Sequence, residues 1–309
     1  MEFLRIAEVF FENGFVYSLL ALGFYISYTI LDFPDLSVEG TFLSGAVVFS
    51  LLSVAGVNPC ISMICSMLVG MVAGFVTGFL HVVLKIRDLL CGILVSTALI
   101  TVNLVVTVAG NGAGFSGDGL SVVQISRADP TLVRTFPFNL LPVNISGVKI
   151  ASLVAFFAVV VVVKILLDAF LKTRRGMLLR ATGTNARFTT MLARDPGKMK
   201  ILGLSLGNGL AALSGSLVAQ QNAGANQSMG IGVVIIGLAS VIIGMSLFAK
   251  VRFFKDTTKV ILGAVIYQAC LSGAYALGVP TAYNKLIMAF LFTLALIFTS
   301  RKKTKEAGK

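Results

Sequence analysis

Residues 172–200 read KTRRGMLLRATGTNARFTTMLARDPGKMK, with eight basic side chains (Lys172, Arg174, Arg175, Arg180, Arg187, Arg194, Lys198 and Lys200) between two long apolar stretches. Lys and Arg close to the ends of spans are held on the cytoplasmic side of a membrane. The segment is therefore predicted to be a cytoplasmic loop, and the stretches on either side of it membrane spans. A basic loop that can also form a short helix is a surface on which a soluble partner can push.

Outward from that loop the chain is apolar almost throughout. Hydrophobic residues make up 57% of the 309 and charged residues only 12%, and the mean hydropathy is +0.94. Too little polar surface remains for a soluble fold, so an all-α integral membrane protein is expected, 1–309 forming a single transmembrane domain. A span needs about 20 apolar residues. Nine stretches qualify, at roughly 15–31, 41–57, 60–84, 89–109, 148–171, 201–221, 231–249, 260–278 and 284–299.

Nine crossings place the amino terminus outside and the basic tail 300–309 in the cytoplasm. Lys85, Arg87, Lys250, Arg252, Lys255 and Lys259 then fall on the same side as 172–200. Residues 1–13 interleave Glu2, Arg5, Glu8 and Glu12 with Phe3, Leu4, Val9 and Phe10, the pattern of an amphipathic segment on the outer surface. No cleaved signal peptide is expected there. Lys164 lies inside a span, and Asp168 one turn on is its expected ion partner.

Several chemistries are excluded. The net charge of +12 sits in loops beside spans, so it implies a membrane and no nucleic acid. Cys60, Cys65, Cys91 and Cys270 form no CxxC pair, and His81 is the sole histidine, which leaves no metal or disulfide framework. His81 near a span end reads as an interfacial packing residue. The glycines from Gly110 to Gly119 lack a following Lys-Ser/Thr and make no P-loop. They open an external connection, about 110–147, that serves either as a docking surface or as a linker. No catalytic set and no resident cofactor are expected.

A weak internal repeat carries more. Asp32 to Gly40 parallels Asn222 to Gly230 at an offset of 190 residues, each segment following one apolar span and preceding another. An odd number of spans separates the copies, so they have opposite orientations, as in inverted-repeat transporters whose interrupted helices border the substrate path. Broken helices leave backbone groups that lipid cannot satisfy, so these segments must face protein or water. The predicted pathway residues are Asp32, Asp35, Ser37, Glu39 and Thr41 from the first copy, with Gln220, Gln221, Asn222, Asn226, Gln227 and Ser228 from the second. The alternative is that both are ordinary polar loops with Asp35 or Ser37 as a helix cap.

Within the basic loop, Gly176 and Gly183 are expected to break the chain, Thr184 or Asn185 to cap a new helix, and Pro196-Gly197 to stop it. Arg187, Phe188, Met191, Leu192 and Arg194 then place an apolar stripe with flanking positive charge on that helix. Such an element suits a groove in a partner, and also suits an anionic membrane surface.

Gly14-Phe15-Val16-Tyr17-Ser18-Leu19-Leu20-Ala21-Leu22-Gly23 with the Asp32 to Gly45 segment, and Arg175-Gly176-Met177-Leu178-Leu179-Arg180-Ala181-Thr182-Gly183 through Gly244, resemble the permease family of ABC importers that includes branched-chain amino acid and ribose permeases. The resemblance is greatest to the branch grouped with tryptophan and tyrosine transport systems. Where branched-chain permeases carry an Asn-Phe-Ala-His-Gly-like stretch, this chain has Leu36-Ser37-Val38-Glu39-Gly40. The resemblance implies a type II-like importer permease acting as a homodimer in a bacterial plasma membrane. Its partners would be a cytoplasmic ATPase dimer, which uses ATP and Mg, and an external substrate-binding protein. The helix from Thr184 to Arg194 matches the family's coupling region. The solute implied is small and amino-acid-like; a sugar or nucleoside permease, or a proton-coupled transporter relaying through Asp32, Asp35 and Glu39, is the alternative.

Overall fold

The computed structural model describes residues 2–110, 122–125, 131–132, 150–184, 195–249, 251, 253–276 and 283–307. The described elements are α1 (Glu2–Phe24), α2 (Val38–Val54), α3 (Pro59–Val82), α4 (Asp88–Gly110), β1 (Val122–Gln124), α5 (Ile150–Lys172), α6 (Arg174–Thr184), α7 (Pro196–Gln221), β2 (Gly224–Asn226), α8 (Val233–Leu247), α9 (Asp256–Ala276) and α10 (Asn284–Ala307). A π-helical stretch, Tyr25–Ile30, extends α1, and a 3₁₀ turn, Gln227–Gly230, precedes α8. The nine predicted stretches each overlap one of these helices, with bounds that differ by more than ten residues at the start of α1. Seven spans are long and apolar enough to cross a membrane, and two shorter apolar helices, Val38–Val54 and Lys285–Ile297, occupy the second and last positions.

Residues 1–13 do not form a segment separate from the first span: α1 runs unbroken from Glu2 to Phe24. Nothing in Asn13-Gly14 stops it, because Gly14 lies flat against Val265 of α9 and the helix gains packing where it would lose propensity.

α7 is the hub. In its apolar window 78% of residues are buried, against 22% for α4 and α5, which present most of their surface outward. The small residues of α7 make this possible. Gly78 lies against Ile201, Gly74 against Leu204 and Gly70 against Asn208, so α3 runs antiparallel to α7 along its whole length. At the crossing of α2 and α7 there is no room for side chains: a Cβ on Gly45 would overlap the Ala212 backbone, and one on Gly215 the Phe42 carbonyl. α1 closes the other side, where Ser214 donates to the Val16 carbonyl at 2.8 Å. The core formed here includes Leu19, Leu20, Phe24, Phe42, Phe49 and Leu217.

The basic connections gather at one end of the bundle. Lys200 of α7 reaches Nε2 of His81 on α3 at 3.1 Å, while Nδ1 of the same ring lies 3.0 Å from both Asp88 Oδ1 and the Ile86 carbonyl. His81 thus ties three helix ends together, and the edge of its ring meets Phe33. Among the described residues Asp168 makes no salt bridge with Lys164. It accepts from Lys255 at 2.9 Å and from Thr257 at 2.6 Å, because the start of α9 comes within reach and offers a hydroxyl as well as an ammonium.

Candidate functional site

Both predicted interruptions are real, and each reaches the middle of a neighbouring helix. After the π-helical stretch the chain turns through residues 31–37 with Asp32 at φ 53, exposed. Asp35, by contrast, is 1% exposed. Its Oδ1 accepts from the Ser37 amide at 2.8 Å and the Ser37 hydroxyl at 2.6 Å, and its Oδ2 accepts from Asn208 Nδ2 at 2.6 Å. Asn208 stands halfway along α7. The first break is therefore closed by protein side chains, as a nonpolar surround requires. Thr41, also buried, donates back to the Ser37 carbonyl at 2.9 Å.

The second interruption begins at Asn222, an exposed residue whose amide closes the end of α7 on the Val218 carbonyl. β2 then pairs antiparallel with β1, in the register Val122↔Asn226, Val123↔Ala225, Gln124↔Gly224. This ribbon was not expected. It fastens the long connection after α4 to the interruption, and Gln220 Oε1 adds a contact by accepting from the Leu132 amide at 3.0 Å. The rest of the predicted docking connection lies outside the described residues. Gln221 donates to Asn13 at 2.8 Å, and Asn226 caps the following turn by accepting from the Ser228 amide at 3.1 Å. Ser228 itself is exposed. Gln227 donates to the Ile100 carbonyl at 3.1 Å, midway along α4.

The two breaks meet at Glu39. Its Oε1 accepts from the Gly232 amide at 3.0 Å, and Gly230 lies against its backbone carbonyl. Gly232 is the N-cap of α8 with φ 88, a left-handed conformation that glycine adopts without strain. Glu39 itself lies in the first turn of α2. The two helices leave this point in opposite directions: α2 follows α4 from Leu36 beside Gly92 to Leu51 beside Gly110, whereas α8 descends to Gly244 beside Lys259 at the basic end. One half-buried carboxylate therefore faces the positive ends of two helix dipoles. Oε2 makes no hydrogen bond among the described residues.

Sequence reasoning missed Asn208 and Asn103. Asn103, 3% exposed in α4, donates to the Gly40 carbonyl at 3.1 Å and steadies the start of α2. Both are amides inside otherwise apolar spans, a signal of function or buried bonding that the repeat alone did not reveal.

The coupling residues Arg187, Phe188, Met191, Leu192 and Arg194 lie outside the described residues. What precedes them differs from expectation. Thr184 ends α6 instead of opening a helix, and neither Gly176 nor Gly183 breaks it. Each occurs where α6 presses on backbone: Gly176 on Phe170 and Leu171, Gly183 on Ile30. The loop is thereby seated on the residues that lead into the first interruption. Beside it opens a cavity of about 480 Å³ with mixed charge, lined by Asp168, Lys172, Arg180 and Lys255 among others.

Apolar helices enclosing two oppositely directed broken segments define a multi-pass membrane permease. The chain belongs to the family described as branched-chain amino acid transport system / permease component, which matches residues 8–296. It is 39% identical over 279 residues to a tyrosine transport system permease protein of Clostridioides difficile, covering 90% of this chain and 86% of that one. An uncharacterized protein of Rickettsia prowazekii is 30% identical over 295 residues, 94% and 96% of the two chains. The ribose import permease protein of Escherichia coli is 27% identical over 131 residues, 42% and 40%. No solved structure matches.

Proposed function

We propose that the chain is the translocation subunit of an ATP-driven importer for a small amino acid with an aromatic side chain, working as a homodimer with a cytoplasmic ATPase pair and an external binding protein. The observation that carries this reading is Glu39, a carboxylate held where two helices start, whose Oε2 makes no hydrogen bond among the described residues. An ammonium group is the natural partner of that oxygen. The similarity to a tyrosine transport permease supports the substrate class.

In this reading the basic end faces the cytoplasm and the carboxyl terminus lies there. The ATPase grips the loop after α6. Its closing stroke passes from Gly183 to Ile30, through the first interruption to α2, and so to Glu39 and α8. Gln227 and Asn226 set the second wall of the path. Coupling of this kind requires that the two states differ in these contacts.

The test is uptake of radiolabelled tyrosine in cells that express the chain with its co-purifying ATPase and binding protein. Uptake stops when ATP is depleted and survives collapse of the proton gradient. Glu39→Gln lowers uptake at least tenfold while ATPase co-purification is unchanged. Uptake that follows the proton gradient and ignores ATP identifies a secondary transporter instead.

A further inference from the structure

The wall built by α3, α5 and α7 contains two adjoining apolar recesses of about 190 Å³ and about 420 Å³. Phe170 and Leu206 line both, so the two recesses adjoin end to end as a groove on this wall. Along α7 it extends from Leu210 to Lys198, about 18 Å at the rise of an α-helix. Leu166, 64% exposed, and Phe75, 51% exposed, stand on it.

Its lining is hydrocarbon almost throughout. The Ser205 hydroxyl is already committed to the Met71 carbonyl at 2.7 Å. Among the described residues Lys198 is the one charged residue that lines it. It is exposed at the basic end, and it makes no ion pair or side-chain hydrogen bond among the described residues.

We infer that this groove binds an anionic phospholipid, one acyl chain lying along Phe170 and Leu206 and the headgroup phosphate on Lys198. Length favours this occupant. The hydrocarbon core is about 30 Å thick, so a groove of about 18 Å starting at one surface ends near the midplane, the depth of a single leaflet. A helix from a second copy would continue through the other leaflet. The charge of the headgroup follows from Lys198, since basic pockets between spans hold anionic headgroups. Which leaflet supplies the lipid rests on the orientation proposed above; the chemistry of the groove does not.

The experiment is native mass spectrometry of the protein released from nanodiscs of phosphatidylcholine with a minor fraction of phosphatidylglycerol. Wild type retains phosphatidylglycerol in preference to phosphatidylcholine. Lys198→Gln lowers that retention about fivefold, the effect of one cation near a charged surface. Leu166→Trp, which fills the groove from an exposed position, lowers retention of both lipids. Phosphatidylglycerol bound equally by wild type and Lys198→Gln overturns the proposal. So does an efficient disulfide between two Leu166→Cys copies, which would put a second copy in the groove. Neither readout involves uptake, so a failure here leaves the transport proposal standing.

Discussion

Asp35, Ser37 and Asn208 form a buried polar cluster whose cost is offset only because every member is bonded. The cluster also accommodates a proton. With Asp35 protonated, its Oδ1 hydroxyl donates to Ser37 Oγ and the Ser37 hydroxyl turns to Asn208 Oδ1, which lies 3.2 Å away. Removing the amide breaks both arrangements. Asn208→Ala is therefore expected to lower the stability of the solubilised protein by about 2 kcal/mol, the worth of a hydrogen bond to a charged group. Thermal unfolding in detergent measures this, and an unchanged midpoint would show that the cluster is not what closes the first break. The carboxylates of this region were legible in the sequence because acidic residues are rare beside spans. Asn208 stood out only as an amide inside an apolar span; nothing in the sequence named Asp35, 173 residues away, as its partner.

At the scale of elements, helix starts and helix crossings depend on particular glycines. Gly232 holds α8 at a left-handed N-cap while its amide engages Glu39. Gly232→Ala keeps that amide but strains the backbone, at a cost of about 1–2 kcal/mol. The expected result is reduced uptake with membrane insertion intact, read by transport assay and by protein level in the membrane fraction. Wild-type uptake would mean that α8 need not begin in this geometry. The elements that were misjudged share one cause. Gly176 and Gly183 were expected to break the chain, because glycine disfavours helix in isolation, and residues 1–13 were expected to lie apart from the first span. Here α6 and α1 press their glycines onto Phe170, Ile30 and Val265, and that close approach outweighs propensity.

Across the whole molecule, the contacts connect the basic loop to the site of the two breaks. α6 rests on Ile30, residues 31–37 bond to Asn208, and α2 delivers Glu39 to α8. On the proposed function, Phe188→Ala in the coupling segment weakens ATPase attachment or uncouples hydrolysis from uptake, with loss of at least half the transport rate. Co-purification and ATPase assays decide it; wild-type values in both would remove Phe188 from the interface. The membrane class and the positions of both interruptions were determined by the sequence alone, because hydrocarbon enforces a near-binary composition over each span. Tertiary structure alone decided that the interruptions, 190 residues apart in sequence, meet at Glu39. It also decided that β1 is paired to β2, and that Asp168 bonds Lys255 and not its neighbour one turn away. Lipid-facing and protein-facing residues are equally apolar, so the sequence carries no hydrophobic contrast to say which helices adjoin; close packing of small residues and the pairing of polar groups make that choice.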